Sequence, residues 1–397
     1  MLQPYNFKKN DSDLPKMHIT SKQPNTETTI FTIMSKLATD YGALNLSQGF
    51  PNFDCSPKLT ELVNYYLKKG MNQYAPMAGI LPLREAIAQK ISDLYQVNYH
   101  PDTEVTVVSG ATEALYAAIT AVVHQDDEVI LLEPCYDSYA PAIKLNGGTP
   151  VYITLTPENE YKIDWNIVKS KITERTKLII LNTPHNPTGT VLSQQDLTQL
   201  ADIVRHTNIF IVSDEVYEHI IFDGLTHWSL LRNPVLRERT FVCGSFGKTF
   251  HVTGWKVGYC LAPKALSEEF RKVHQWLTFS VVTPIQYALA DFLQESDNYL
   301  SIPNFYQQKR DKFLECISGS RFTYVPAKGS FFQCVNYQQI TDENDYDLAV
   351  RLTKEIGVAS IPVSVFYHQK NDFKTLRFCF AKDDETLEKA GEKLIKL

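Results

Sequence analysis

From Val105 onward the chain alternates short apolar runs with amphipathic stretches, the pattern of a mostly parallel sheet covered by helices. Val105 to Val108 reads as a strand, Gly110 turns the chain, and Thr112 to Val123 continues with helical periodicity. Glu128 to Leu132, Lys177 to Leu181, Ile209 to Val212 and Thr240 to Cys243 are further apolar runs of strand length. Ser193, with Asp196 three residues on, predicts a capped helix that runs to about His206. The segment before Pro51 reads as an irregular arm. From about Pro303 helical and strand patterns alternate as a second, smaller domain, closed by a helical stretch from Asp383 to Leu397.

A chain of 397 residues at 44% hydrophobic has material for an ample core, and its length suggests two or three domains. The net charge of -6 comes from basic and acidic residues mixed along the chain, which leaves no electrostatic footprint for nucleic acid or an anionic membrane. Small molecules are the expected partners. Met1 to Ser21 is polar, with Lys8, Lys9, Asp11 and Asp13, and lacks the apolar core of a secretory signal. No apolar run approaches the length of a membrane span. The seven cysteines are scattered and never form a C-x-x-C pair, so reduced thiols in a cytoplasmic protein without a metal site are expected.

Three of these strands are expected to end in unusual residues: Asn186 in Asn-Pro-Thr-Gly, Asp214 in Asp-Glu-Val-Tyr, and Lys248 in Ser-Phe-Gly-Lys-Thr. Ligands collect at the carboxyl ends of strands in open α/β sheets, so a site is expected there. A carboxylate at Asp214 is costly unless a cationic or hydrogen-bonding group meets it, as a protonated pyridine nitrogen would; a helix cap is the competing reading. Tyr217, three residues on, is placed to act with it.

Lys248 follows a glycine in a strand-to-loop turn, where a desolvated amine becomes an imine-forming nucleophile; a surface lysine is the commoner fate. A P-loop reading of Gly247-Lys248-Thr249 fails, because its first glycine would fall on Val242. Ser109-Gly110-Ala111-Thr112 lies between a strand and a helix and offers an anion cradle, to which Ser245 and Lys256 add a hydroxyl and a positive charge. Tyr136 suits either stacking on a flat ring or core packing. Arg377, inside the apolar run Leu-Arg-Phe-Cys-Phe-Ala, suits either a bidentate carboxylate or an internal ion pair.

Asn186-Pro-Thr-Gly, Asp214-x-x-Tyr217 and Ser245-x-x-Lys248 with Thr253-Gly-Trp-Lys-Val-Gly-Tyr together resemble the class I and II aminotransferases of fold type I. The resemblance runs from Ser47-Gln-Gly-Phe-Pro to Arg377. Within that family, Asn72-Gln-Tyr-Ala-Pro, Ser109-Gly-Ala-Thr-Glu-Ala-Leu and Gly244-Ser-Phe-Gly-Lys-Thr-Phe-His are most similar to the methionine and kynurenine aminotransferase branch, which includes glutamine transaminase K. The family implies an α/β fold with a large cofactor domain over 51–290, and a small domain built from an arm at 1–50 and a C-terminal part at 291–397. It also implies a homodimer with active sites at the interface.

The resemblance implies pyridoxal 5'-phosphate as the cofactor, with Lys248 holding its aldehyde. Asp214 becomes the partner of the pyridine nitrogen, Asn186 and Tyr217 the ligands of the ring 3-oxygen, and Tyr136 the stacking aromatic. Gly110, Ala111, Thr112, Ser245 and Lys256 would hold the phosphate, joined by Tyr74 of the neighbouring subunit. Gly49, Asn186 and Arg377 would receive the substrate carboxylate. Many relatives carry Arg where Lys256 stands, so the charge is kept and its bidentate geometry is not.

The implied reaction moves the amino group of an L-amino acid to a 2-oxo acid in two half-reactions. A carbon–sulfur β-lyase is the alternative on the same scaffold. A regulatory module without catalysis would need an added DNA-binding segment, for which the N-terminal arm is too short and insufficiently basic. Phe31 and Tyr41 are read either as lining an apolar side-chain pocket or as packing residues.

Overall fold

The computed structural model describes residues 19–24 and 26–397; the polar stretch up to residue 18 lies outside the described residues. Within the described region before Pro51, the part from residue 30 to 45 is not an irregular arm. It forms a helix, Ile30–Tyr41, capped by Thr29 at one end and by left-handed Gly42 at the other, followed by strand β1 (Leu44–Asn45). Met34 and Ala38, one turn apart, bury the same helix face, a period that the intervening Ser, Lys and Thr residues mask in the sequence.

A seven-stranded sheet follows, made of β2 (Val105–Val108), β3 (Glu128–Glu133), β4 (Thr149–Thr154), β5 (Thr176–Asn182), β6 (Phe210–Asp214), β7 (Thr240–Ser245) and β8 (Gly258–Leu261). Its order is β2-β8-β7-β6-β5-β3-β4, and only β8 runs against its neighbours. Strands β2, β3 and β8 are buried along their whole length, as expected for a sheet covered on both faces. The predicted capping box forms: Ser193 and Asp196 exchange hydrogen bonds at the head of the helix Gln194–Val204.

The direction of these strands positions the chemistry. β2, β5, β6 and β7 all end on one edge of the sheet, and each carboxyl end hands over to a polar segment. β2 leads into the helix Ala111–Val122, β5 ends at Asn182, β6 ends at Asp214, and β7 runs into the short helix Phe246–Thr249 that carries Lys248.

The smaller part is built from both chain ends. β9 (Phe332–Asn336), β11 (Ile361–Pro362) and β12 (Thr375–Cys379) make an antiparallel sheet in the order β11-β12-β9, while β10 (Val358–Ala359) pairs in parallel with β1. The Cys379 N–H donates to the Leu46 carbonyl at 2.8 Å, which ties the early segment to β12. Met34, Leu46, Phe313, Phe378 and Leu387 share the core beneath, closed by the helix Asp384–Leu394 with Asp383 as its cap.

Candidate active site

A cavity of about 250 Å³ opens at the carboxyl edge of the large sheet, against β9 and β12 of the smaller part. Gly49, Gly110, Ala111, Thr112, Tyr136, Asn186, Asp214, Tyr217, Ser245, Lys248, Lys256 and Arg377 all line it. Residues spread over more than three hundred positions of sequence thus meet in one space.

At one end the helix Ala111–Val122 points its N-terminus into the cavity, and no side chain caps it. Gly110 sits at φ +76°, and a Cβ there would lie 3.1 Å from Cε of Lys256, so glycine lets the lysine fold over the turn. Lys256 itself is left-handed at φ +54°, with Nζ 3.5 Å from the Thr112 hydroxyl. First-turn N–H groups, a lysine and the Ser245 hydroxyl converge there as an anion site.

Asp214 is buried at the centre. Its Oδ2 accepts from the Tyr139 hydroxyl at 2.6 Å and its Oδ1 from the Val216 N–H at 3.3 Å. Burial pushes its carboxyl up to about 6, against the downward pull of Tyr139, Val216 and the Lys248 ammonium. Lys248 moves the other way: burial of its ammonium lowers it to about 8, despite the opposing pull of Asp214. Its Nζ donates to the Gly49 carbonyl at 3.0 Å and faces the rings of Phe331 and Tyr217.

Arg377 forms the far wall and is fully buried. Nη1 donates to Asn186 Oδ1 at 2.7 Å, Nη2 to the Ser47 carbonyl at 3.0 Å, and the Phe332 ring lies 3.9 Å from the guanidinium carbon. No acidic side chain pairs with it among the described residues, and Nε has no hydrogen-bond partner. A desolvated guanidinium held by neutral groups is a receptor for a carboxylate.

The sequence itself decides the family: residues 41–394 match the model of aminotransferase class I and II. The chain belongs to the class I and II aminotransferases. It is 50% identical to the methionine aminotransferase of Escherichia coli K12 over 95% of this chain and 98% of that protein. It is 38% identical to a kynurenine–oxoglutarate transaminase of Dictyostelium discoideum over 91% and 92%. A crystal structure of an Escherichia coli methionine aminotransferase superposes with a TM-score of 0.93 over 96% of this chain and all of that one. N-succinyldiaminopimelate aminotransferase of Mycobacterium tuberculosis superposes with a TM-score of 0.91 at 36% identity, over 96% of this chain and 100% of that one. The protein is a transaminase, and the α/β fold type I architecture is the one observed.

One sequence expectation needs correction in this aminotransferase, and one open reading is decided. Asn186 does not end a strand: β5 stops at Asn182, whose side chain accepts the Asn186 N–H at 2.7 Å and so sets the loop. Tyr41 does not line the cavity, whereas Phe31 does. Tyr41 ends the helix that Phe31 nearly begins, so it lies about 15 Å along the axis and is exposed. Tyr74 is also outside its own chain's cavity, 85% exposed and edge-on against Phe279.

Three contributors escaped the sequence reading. Tyr139, the hydroxyl partner of Asp214, repeats Tyr136 three residues later, a signal that was present. Asn182 is the polar end of an apolar strand, like Asp214. Phe332, stacked on Arg377, had no local signal, because only tertiary folding sets β9 beside β12. Among the described residues, no group of three or more His, Cys, Asp or Glu side chains is placed to hold a metal ion, and all seven cysteines are free.

Proposed function

We propose that this aminotransferase works with pyridoxal 5'-phosphate in the cavity and takes amino acids with methionine-like or aromatic side chains. The observation that carries this reading is the pairing of Lys248, lowered to about 8, with Asp214, raised to about 6, in one enclosed space. The donor set fits the group. The uncapped helix N-terminus, Ser245 and Lys256 suit its phosphate, Asp214 its ring nitrogen, Asn186 and Tyr217 its ring oxygen, Tyr136 its face, and Lys248 its aldehyde. Bound there, the cofactor supplies the aldehyde that carries the amino group and a ring that accepts the electrons released at the substrate α-carbon.

The chain supplies the rest. Asp214 keeps a proton on the ring nitrogen, because a buried carboxylate is stabilised by a cation beside it. Arg377 and Asn186, with Gly49, hold the substrate carboxylate, and the Phe332 ring over the guanidinium keeps water from it. Lys248 Nζ, free of its proton at a lower pH than an ordinary lysine, takes the α-proton and returns it on the other side of the transfer. Water would supply the carbonyl oxygen of the 2-oxo acid that leaves, and a second 2-oxo acid would enter to accept the amino group and give up its own oxygen as water.

The substrate reading rests on Phe31, Phe332 and Tyr136 lining the cavity and on the named activities of the methionine and kynurenine relatives. We further propose a homodimer in which Tyr74 of one copy reaches the phosphate end of the other. Exposed Tyr74, Trp276, Phe279 and Val282 supply apolar surface for it. Among the described residues no helix is long and apolar enough to cross a membrane, which is consistent with the cytoplasmic setting we propose. No observation favours the carbon–sulfur β-lyase.

The test is a rate scan of methionine, phenylalanine, kynurenine and aspartate against several 2-oxo acids. Methionine or the aromatic donors outrun aspartate by at least about tenfold, since one buried apolar side chain contributes roughly 1.5–3 kcal/mol. A preference for aspartate contradicts the substrate reading.

A further inference from the structure

Beneath the anion cradle lies a buried bridge that the chemistry above does not use. Glu113, the third residue of the helix Ala111–Val122, is buried, and its Oε2 accepts the Ser109 N–H at the start of the cradle. Its Oε1 lies 2.5 Å from Nδ1 of His274, a fully buried residue of the helix Lys264–Leu277. Nε2 of the same ring lies 2.8 Å from the Met77 carbonyl. A carbonyl only accepts, so Nε2 carries a hydrogen, and Nδ1 meets the carboxyl group at this distance only with a second proton between them. The Glu113–His274 pair is therefore neutral overall.

That neutrality matters for an anion. A buried carboxylate in the first helical turn, next to the cradle, repels a phosphate dianion, and the shared proton of His274 removes the repulsion.

The other end of the bridge reaches the segment that presents Tyr74. Carbonyls along that segment are pinned in turn: Gln73 by the Thr283 hydroxyl at 2.6 Å, Ala75 by the Ser280 hydroxyl at 3.0 Å, and Met77 by His274. The Ala78 carbonyl accepts the Val107 N–H at 3.0 Å from β2, the strand that runs into the cradle. An exposed tyrosine is thus held on a segment connected to the chain's own cradle through the His274 imidazole and through the Ala78–Val107 hydrogen bond.

We infer that His274 is a positioning residue for the cofactor phosphate, neutralising Glu113 under the chain's own cradle and fixing the loop that offers Tyr74 to a second copy. This rests on the pyridoxal phosphate reading of the cavity. The role is expressed through the phosphate alone, so it is read by comparing pyridoxal phosphate with pyridoxal, which has the same ring and aldehyde.

The experiment titrates cofactor-free wild-type protein and variants with both compounds. His274→Gln leaves Glu113 charged and weakens pyridoxal phosphate by about tenfold or more, a change of roughly 1.4 kcal/mol, while pyridoxal binding stays within about twofold. The double variant Glu113→Gln/His274→Gln removes the charge and recovers most of the lost affinity. Equal weakening of both compounds, no weakening, or a double variant as weak as the single one overturns the inference.

Should His274→Gln fail to fold, ¹⁵N spectra of histidine-labelled wild-type protein carry the test. The buried ring signal shifts with pyridoxal phosphate and not with pyridoxal; a signal indifferent to both, or shifted equally by both, overturns it. Wild-type protein that binds neither compound contradicts the cofactor reading instead.

Discussion

Asp214 ends β6 and Glu218 lies four residues on, both buried, and they titrate in opposite directions. Burial raises Asp214 to about 6, because one hydroxyl, one backbone amide and the charge of Lys248 do not outweigh it. Burial also pushes Glu218 up, but the Lys90 ammonium, His219 and the hydrogen bonds from Lys90 and Tyr259 outweigh it and hold the carboxyl well below its usual range. The Tyr95 hydroxyl donates to its second oxygen at 2.7 Å. Gly244 makes room for this cluster: a Cβ there would fall 2.1 Å from Cζ of Tyr259. A buried charge that the chain itself pairs at hydrogen-bond distance is architecture, and one hydrogen-bonded only to neutral groups is left for a partner from outside. Arg377 and Lys248 fall with Asp214 in the second class.

The largest expected effect comes from removing the amine on the reactive side. Lys248→Ala lowers the amino-transfer rate by at least about 10⁴-fold, the upper range for a general acid–base group, while circular dichroism and thermal melting show a folded protein. Residual transfer within tenfold of wild type would break the division between the two regions.

On the architectural side, Lys90→Met strands Glu218 without its cation and costs about 3–5 kcal/mol of stability, read by denaturant unfolding. A variant as stable as wild type would place Glu218 in the same class as Asp214. Arg377→Leu acts on binding: KM for the amino acid rises by roughly ten- to a hundredfold, the worth of a charge-assisted hydrogen bond, with little change in cofactor affinity. An unchanged KM would mean that the carboxylate is held elsewhere.

The smallest effect sharpens the contrast through pH. The folded carboxyl of Asp214, at about 6, lies above its ordinary value of 3.8. Between those values the folded state holds the proton more firmly than the unfolded one, so this group's contribution to stability falls as pH rises from about 4 to 6. Asp214→Asn removes that slope. At pH 7 the cofactor-free variant is as stable as wild type or more so, by up to about 3 kcal/mol, while transfer is lost. Destabilisation of the cofactor-free variant at pH 7 would contradict the assignment of Asp214 to the reactive class.

The strands that carry these groups were legible because each is an apolar run ending in a polar residue, as β6 ends in Asp214. β4 and β8 were not: β4 is a half-exposed edge, and β8 is four residues inside a glycine-bearing motif. The helix Ile30–Tyr41 hid behind its polar positions and is stabilised by what it packs on. In the site, Asn186, Asp214, Tyr217, Lys248 and Arg377 stood out as polar residues in or after apolar runs. Their partners Tyr139, Asn182 and Phe332, and the Glu113–His274 bridge, depend on contacts across the fold that no local pattern records.

In the function we propose, the amine of Lys248 is the point where the cofactor aldehyde would be held. Borohydride reduction of the protein incubated with pyridoxal phosphate, followed by peptide mass analysis, reads that attachment directly. The expected result is a single stable adduct on the peptide containing Lys248, absent from Lys248→Ala. An adduct on another lysine, or none at all, would contradict it.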